Sequence, residues 1–290
     1  MPTLNSNYRM ATRREIYNHL THTAMECYPE VEARQIAEII VTSLGGISRN
    51  DLIIEPNQPL EIADLERICD DIRRWRPVQY IIGRAEFADM ELHVREGVLI
   101  PRPETEELVE WIANEAPHGA KILDVCTGSG CIALALRRAV ADSEVWGLDI
   151  SPEALAIARE NGAIYAPDIR FIEGNALGDF DSDVACKSFD IVVSNPPYIP
   201  DTDKALMRKN VTDYEPDMAL FVKESDPLIF YRAIARTARK ILKPNGRIYF
   251  EIYESLADEM MEMMACEGYT DITIKEDFRG KPRMLCAVVK

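Results

Sequence analysis

The amino-acid sequence predicts an α/β protein in which a mostly parallel, doubly wound sheet follows an N-terminal helical bundle. From residue 121 onward, short apolar segments typical of strands alternate with longer segments typical of helices. This alternation favours a parallel sheet with helices on both faces. The segment from Phe189 to Ser194 is apolar almost throughout, as expected for a strand that is covered on both faces. Before residue 80 the apolar residues recur instead at helical spacing.

The N-terminal part, residues 1–80, is predicted to be a small helical domain. Two sets of apolar residues are each expected on one face of a helix: Val31, Ile36, Ile39, Ile40 and Leu44, and then Leu65, Ile68, Ile72 and Trp75. Glycine and proline residues separate these helices. No catalytic pattern is visible here, and we expect the domain to dock a substrate.

Residues 81–100 are predicted to form a β-hairpin linker. Short strands are expected around Ile81-Ile82, Glu86-Phe87 and Leu92-His93, with turns between them. Pro103 is expected to open the next helix, since proline is favoured at the first helical position. A second domain then spans residues 101–290.

The second domain divides into seven predicted strands and the helices between them. Strands are expected at residues 121–126, 144–150, 169–173, 189–194, 247–252, 272–275 and 284–289, and helices at 130–140, from 152, at 225–242 and at 260–266. Ser151 is expected to cap the second of these helices and Pro152 to begin it. A turn-rich connection without a helix joins the last two strands, so one of them is expected to run antiparallel.

The composition argues against nucleic-acid and membrane partners. The formal net charge of -16 opposes binding to phosphate backbones. Charged residues interrupt every apolar stretch of the first 20 residues, which therefore predict neither a signal peptide nor a membrane span. The seven cysteines are scattered, as in a reduced cytoplasmic protein, and the four histidines have no metal-ligand spacing. We expect no metal.

A loop containing two glycines follows the first predicted strand of the sheet. It comprises Cys126-Thr127-Gly128-Ser129-Gly130, and the next strand ends in Asp149. Glycines let the backbone approach a ligand, and a carboxylate at that strand end accepts hydrogen bonds from ribose hydroxyls. The dinucleotide fingerprint is not met, because Ala133 stands where its third glycine belongs. The pattern therefore predicts either a site for an adenosine-type cofactor or a tight βα turn with a capping acid. A methionine-derived cofactor lacks pyrophosphate and needs fewer anion-binding groups at the helix start.

The tetrapeptide Asn195-Pro196-Pro197-Tyr198 follows the fourth predicted strand directly. Two prolines fix two φ angles near -65° and force the residues before them into extended geometry. The result is a stiff turn that presents Asn195, carbonyl oxygens and the Tyr198 ring at the end of the sheet. This turn is the second candidate site.

From about residue 75 to the C-terminus, the sequence resembles the HemK/PrmC family of N5-glutamine methyltransferases. The matching segments are residues 76–83, 100–106, 123–130, 194–199, 214–216 and 219–220. The proline tetrapeptide is also typical of adenine amino methyltransferases. The segment Ile100 to Glu106 together with Tyr214-Glu215-Pro216 is much more specific to this family.

The resemblance implies a Rossmann-like class I methyltransferase fold with a seven-stranded, mostly parallel sheet and a helical N-terminal domain. It implies S-adenosylmethionine as the cofactor. It also implies methyl transfer to the side-chain amide nitrogen of the glutamine in the Gly-Gly-Gln motif of class one peptide chain release factors. We expect a cytoplasmic monomer without a nucleic-acid partner.

The same resemblance assigns residues. The cofactor is expected to contact Cys126, Thr127, Gly128, Ser129, Gly130, Asp149, Asn175, Ala176 and Asn195. The substrate glutamine is expected to contact Asn195, Pro196, Pro197 and Tyr198, with Asn195, Pro196 and Tyr198 in catalytic roles. The chain departs from the family at two places. Cys126 replaces a usual glycine, and Glu251-Ile252-Tyr253 replaces Glu-x-Gly, so we assign no catalytic role to Glu251.

The chemistry explains why an acceptor-rich turn is useful. An amide nitrogen is a poor nucleophile because its lone pair is delocalised into the carbonyl group. The side-chain oxygen of Asn195 and the carbonyl of Pro196 can hold the two amide hydrogens, while Tyr198 packs against the flat amide. The long, poorly periodic segment 199–222 is expected to close over the glutamine.

Three alternatives share parts of this pattern. An adenine N6-methyltransferase would share the tetrapeptide, but it would need a basic groove. A glutamine methyltransferase acting on a ribosomal protein would use the same chemistry. A non-catalytic binding module could retain the fold, although the intact tetrapeptide argues against it.

Overall fold

The computed structural model describes residues 10–178, 180, 184 and 188–290. The first nine residues of the predicted N-terminal domain lie outside this range. The chain forms two compact units. One runs through Gly83 and includes Lys209–Tyr214, and the other comprises Arg84–Arg208 and Glu215–Lys290.

The first unit is helical. Its elements are α1 (Arg13–Met25), α2 (Glu30–Gly45), α3 (Arg49–Ile54), α4 (Leu65–Arg73) and α5 (Val78–Ile82). Thr12 and Glu15 form a capping box at the start of α1, and Ser48 and Asp51 form one at α3.

The buried face of α2 differs in part from the predicted one. It consists of Ala33, Ile36, Ala37, Ile40 and Val41, whereas Val31 and Leu44 are 72% and 38% exposed. Alanines form part of the buried face. The prediction used only the larger apolar residues, so the predicted face is rotated about the helix axis relative to the observed one. Trp75 lies beyond the end of α4 at φ 66°, and it packs on the core of the first unit from there.

A hairpin begins the second unit. Strand β1 (Arg84–Phe87) pairs antiparallel with β2 (Met90–His93). Ala88 and Asp89 both have positive φ, at 47° and 56°, as a two-residue type I′ turn requires. The prediction of a strand at Ile81-Ile82 was wrong, because these residues end α5. Short apolar runs do not distinguish a strand from a buried helical turn.

The second unit contains a seven-stranded sheet of order β10-β11-β9-β6-β3-β4-β5. Its strands are β3 (Lys121–Val125), β4 (Glu144–Asp149), β5 (Arg170–Glu173), β6 (Phe189–Ser194), β9 (Leu242–Glu251), β10 (Tyr269–Glu276) and β11 (Pro282–Val289). β11 pairs antiparallel with both neighbours, while the other pairings are parallel. The predicted fold, including one antiparallel strand at the end, is confirmed.

Helices cover both faces of this sheet. They are α6 (Pro103–Glu115), α7 (Cys131–Ala139), α8 (Pro152–Tyr165), α11 (Ile229–Ile241) and α12 (Ala257–Cys266). Along β3, Ile122 packs towards α6, α7 and α8, whereas Leu123 packs towards α11 and α12. This alternation divides the core into two layers. The predicted starts at Pro103 and at Ser151-Pro152 are confirmed, with the Ser151 side chain accepting a hydrogen bond from Ala154 N.

The segment 199–222 contains short elements rather than one irregular loop. These are β7 (Ile199–Pro200), a 3-10 helix (Asp201–Leu206), α9 (Lys209–Thr212), α10 (Asp217–Leu220) and β8 (Phe221–Val222). β7 and β8 pair in parallel, which brings the two ends of the segment together. Among the described residues, no helix combines the length and the hydropathy needed to cross a membrane.

Candidate active site

A cavity of about 370 Å³ lies at the carboxyl ends of the parallel strands, the place where open α/β sheets bind ligands. Its floor comes from the segments that follow β3, β4, β5 and β6. Its other walls come from Gly97–Leu99 and from residues 216–221. The cavity is therefore bounded by the sheet, by the end of the predicted hairpin linker 81–100 and by part of the poorly periodic segment 199–222.

Several predicted site residues line this cavity together. They are Cys126, Gly128, Asp149, Asn175, Ala176, Asn195 and Pro197. The predicted residues Thr127, Ser129, Gly130, Pro196 and Tyr198 do not contribute to the lining. The glycine loop and the proline turn thus open into one cavity.

The glycine loop adopts left-handed backbone at three positions. Cys126, Gly128 and Gly130 have φ of 63°, 57° and 83°. A non-glycine residue in this conformation costs about 1–2 kcal/mol, so the chain tolerates local strain at Cys126. Burial raises the pKa of its thiol, which therefore stays neutral. A Cβ at Gly128 would meet nothing within 4 Å, so the loop leaves room for a ligand against its backbone.

Asp149 joins the end of β4 to the glycine loop. Its Oδ2 accepts a hydrogen bond from Gly128 N and its Oδ1 accepts one from Ser151 N, both at 2.9 Å. Burial raises the pKa of this carboxyl, and the backbone hydrogen bonds oppose that shift. Each carboxylate oxygen has a second lone pair, so Asp149 retains acceptors for ligand hydroxyls.

Two residues that the sequence analysis missed support the loop from behind. Asp124 is fully buried, and its Oδ2 accepts hydrogen bonds from Thr127 Oγ1 at 2.6 Å and Ala133 N at 3.2 Å. Asn161 on α8 donates through Nδ2 to the carbonyls of Ser129 and His93. Thr127 and Ser129 therefore hold the loop rather than face the cavity. Two sequence signals pointed to Asp124: its place near the end of a predicted strand and its inclusion in the matching segment 123–130.

Asp124 is expected to make the stability of the protein depend on pH. Burial raises its pKa to about 7, from an unfolded value of about 3.9. The folded state therefore favours the protonated acid, and this contribution is lost as pH rises through about 7. As pH rises from 5 to 7, the unfolding free energy of wild type should fall by up to about 1.4 kcal/mol per pH unit. Asp124→Asn should lack this fall, because asparagine does not titrate. Urea unfolding across this range measures the difference, and parallel curves would refute it.

The proline turn starts from a fixed strand end. Ser194 is fully buried, and its hydroxyl donates to the carbonyl of Val125 at 2.5 Å. Tyr198 N donates to the carbonyl of Leu220 at 3.2 Å. The Tyr198 ring stacks on Tyr253, with ring centroids 5.9 Å apart. The turn is therefore held on both sides while Asn195 and Pro197 face the cavity.

A buried carboxylate connects the two ends of the turn. Glu251, which is 2% exposed, accepts a hydrogen bond from Thr105 Oγ1 at 2.6 Å and one from Tyr198 Oη at 2.9 Å. Thr105 in turn accepts from Asn195 Nδ2 at 3.4 Å. Burial raises the pKa of Glu251, and the two hydroxyl donors oppose that shift. Glu251 was predicted to have no catalytic role, although a carboxylate at the end of an apolar strand was a usable signal.

The two segments that carry the most specific resemblance lie against each other. Glu215 is buried, and its carboxylate accepts hydrogen bonds from Arg102 Nη2 at 2.6 Å and from Ile100 N at 3.0 Å. Glu215 directly precedes Pro216, the first residue of the cavity wall formed by residues 216–221. The ion pair therefore holds the start of that wall.

Removing the Glu215 carboxylate is expected to release this wall. Breaking a buried ion pair costs about 3–5 kcal/mol, so Glu215→Ala should lower stability by about 3 kcal/mol because Arg102 is partly exposed. Limited proteolysis should then cut residues 199–222 faster. Asp217→Ala, which removes an exposed pair with Lys204, serves as the control. Equal cleavage of both variants would refute the role of Glu215.

The lining of the cavity fits an adenosine-type cofactor. Asp149 offers acceptors for ribose hydroxyls, while Ile150, Ala176 and Phe230 provide apolar surface for a base. Among the described residues, no group of three His, Cys, Asp or Glu side chains is arranged to hold a metal ion.

Two family models and several relatives match this chain. Residues 117–279 match the family model described as a methyltransferase domain, and residues 16–83 match the PrmC N-terminal domain. A release factor glutamine methyltransferase of Bacteroides thetaiotaomicron is 39% identical over 273 residues, covering 93% of this chain and 97% of that protein. Its counterpart from Flavobacterium psychrophilum is 40% identical over 266 residues, covering 89% of this chain and 92% of that protein.

Solved structures share the fold at low sequence identity. A methyltransferase from Pyrococcus furiosus aligns with a TM-score of 0.52 and 18% identity, covering 69% of this chain and 88% of that one. The 16S rRNA N2 G1207 methyltransferase of T. thermophilus also reaches 0.52, with 17% identity, and covers 71% of this chain and 50% of that one. These likenesses establish the sheet and its helices.

Proposed function

The chain belongs to the release factor glutamine methyltransferases, and from this premise we propose that it methylates the N5 nitrogen of the glutamine in the Gly-Gly-Gln motif of a class one release factor. S-adenosylmethionine is the methyl donor. The observation that carries the proposal is that Asn195 and Pro197 line the same cavity as Asp149. A substrate amide held at the proline turn and a nucleoside held at Asp149 would share one space.

Asp149, Gly128 and Ala176 are the residues proposed to hold the cofactor. When bound, S-adenosylmethionine supplies a methyl group on a sulfonium, which is electrophilic without metal assistance. The apolar side chains of Met218, Phe221 and Phe230 line the cavity, and they are proposed to exclude water from the reacting groups.

Asn195 is proposed to orient the substrate amide. Its Nδ2 donates to Thr105, so its Oδ1 remains available to accept a hydrogen from the substrate NH₂ group. The carbonyl of Pro196 is proposed as the second acceptor. With both hydrogens held, the nitrogen lone pair has one direction left in which to react, and such alignment can lower a barrier by roughly 7–11 kcal/mol.

The segment 199–222 is proposed to close over the glutamine. Pro216, Met218 and Phe221 already line the cavity, and the Glu215 ion pair holds their start. Substrate and cofactor together are expected to slow proteolysis in this segment, because an occupied cavity stabilises its wall.

Mass spectrometry of a purified release factor after incubation with enzyme and S-adenosylmethionine tests the proposed function. One added methyl group on the Gly-Gly-Gln glutamine is expected, and a release factor with asparagine at that position should stay unmodified. A ribosomal protein fraction and an adenine-containing oligonucleotide serve as competing substrates. Methylation of either one, with the release factor unmodified, would overturn the proposal.

A further inference from the structure

We infer that Glu251 is a positioning residue that fixes which end of the Asn195 amide faces the cavity. The predicted effect on kcat rests on the proposed function. The structural basis is the hydrogen-bond chain from Glu251 through Thr105 to Asn195. Glu251 does not contribute to the cavity lining, so it acts through these partners and not on the substrate.

The chain of hydrogen bonds has a single direction. Each oxygen of the Glu251 carboxyl group accepts from one hydroxyl, and the Thr105 hydroxyl donates to Oε2 at 2.6 Å. Having used its one hydrogen, that hydroxyl can only accept from Asn195, and Asn195 Nδ2 lies 3.4 Å away. The Asn195 oxygen is therefore left for the substrate.

This direction matters because an asparagine amide has two ends of nearly equal size. A rotation of the side chain by half a turn exchanges Oδ1 and Nδ2 with little change in shape. With Nδ2 towards the cavity, Asn195 would present hydrogens to the hydrogens of the substrate NH₂ group. Sterics alone do not prevent this, so the acceptor at Thr105 decides the orientation.

The same carboxylate also holds the other end of the tetrapeptide. Tyr198 Oη donates to Glu251 Oε1 at 2.9 Å, so each carboxylate oxygen receives one hydroxyl group. Asn195 and Tyr198 flank the two prolines, and both are tied to one buried group. Glu251 thus holds the two residues that flank the prolines, Asn195 through Thr105 and Tyr198 directly.

Glu251→Gln tests the inference with an isosteric change. The glutamine NH₂ group can donate to Thr105, whose hydroxyl can then donate to Asn195 Oδ1 and turn the amide around. The expected result is a fall in kcat of about 100-fold, the scale of a misplaced reacting group. The dissociation constant for S-adenosylmethionine should be unchanged. A glutamine whose oxygen faces Thr105 would preserve the original direction, so wild-type kcat in both this variant and Thr105→Val would overturn the inference.

Thr105 provides the matched pair of variants. Thr105→Val removes the hydroxyl at nearly constant shape and should lower kcat as Glu251→Gln does, whereas Thr105→Ser keeps the hydroxyl and should retain wild-type kcat. Thr237→Val, at a buried threonine on α11 outside the cavity lining, is the control. The double variant Glu251→Gln/Thr105→Val should lose no more activity than the worse single variant. If the double variant lost activity by the product of the two single losses, Glu251 and Thr105 would not act through one hydrogen-bond chain.

A spectroscopic readout separates this inference from the proposed function. The side-chain NH₂ signals of Asn195, assigned by their loss in Asn195→Asp, report their acceptor directly in an NMR spectrum. They should shift in Glu251→Gln and Thr105→Val and stay in place in Thr105→Ser and Thr237→Val. Unmoved signals in both Glu251→Gln and Thr105→Val would overturn the inference, whereas failure of the wild-type enzyme to methylate any release factor would overturn only the proposed function.

Discussion

Asn195→Ala is expected to lower kcat by about 1,000-fold, the upper range for removing one preorganised hydrogen-bonding group from an active site. The alanine removes the Oδ1 acceptor, so the substrate NH₂ group loses its orientation. The backbone path should persist, because Pro196 and Pro197 fix it. Affinity for S-adenosylmethionine should remain close to wild type, since Asp149 and the glycine loop stay in place. Single-turnover kinetics and a cofactor titration measure the two quantities separately.

The control for this substitution is Asn114→Ala, at an exposed position of α6. It should leave both quantities unchanged. If Asn195→Ala methylated a release factor at the wild-type rate, the role given to the tetrapeptide would be wrong. If it abolished cofactor binding instead, Asn195 would belong mainly to the cofactor site.

Asp149→Ala is expected to produce the opposite pattern. Hydrogen bonds to a charged group are worth about 1.5–3 kcal/mol each, so losing the two proposed ribose contacts should raise the cofactor dissociation constant by at least about 100-fold. The substitution also frees Gly128 N and Ser151 N, which loosens the loop. Isothermal titration with S-adenosylhomocysteine measures the effect.

An aspartate remote from the cavity provides the comparison for Asp149. Asp168 forms an exposed ion pair with Arg137, and Asp168→Ala should bind the cofactor normally because such pairs contribute little. Unchanged cofactor affinity in Asp149→Ala would show that the nucleoside does not bind at the Asp149 end of the cavity. Together, the Asn195 and Asp149 variants should separate catalysis from cofactor binding.

The sequence predicted the features that depend on local chemistry. Strand and helix alternation predicted the sheet, and the missing helix between the last two strands predicted that one of them runs antiparallel. Ser151-Pro152 predicted a helix start because capping and a fixed φ act within a few residues. The strand predicted at Ile81-Ile82 was wrong because the apolar pattern was too short to distinguish the helical period from the strand period.

The contacts that organise the candidate site lie far apart in the sequence. Thr105 and Glu251 are 146 residues apart, and Arg102 and Glu215 are 113 apart. No local pattern links such pairs, and only the order of the strands brings them together. Resemblance pointed to the segments that contain Arg102 and Glu215, but not to the ion pair itself. The role of Glu251 was missed because its surroundings depart from the family pattern.

A crystal structure of the enzyme with S-adenosylhomocysteine and a Gly-Gly-Gln peptide tests most directly whether one cavity holds both reactants. The nucleoside should lie at Asp149, and the peptide glutamine should enter beside Asn195 with its amide hydrogens towards Asn195 Oδ1 and the Pro196 carbonyl. A glutamine bound outside the cavity, or a nucleoside occupying the space beside Asn195, would contradict the account.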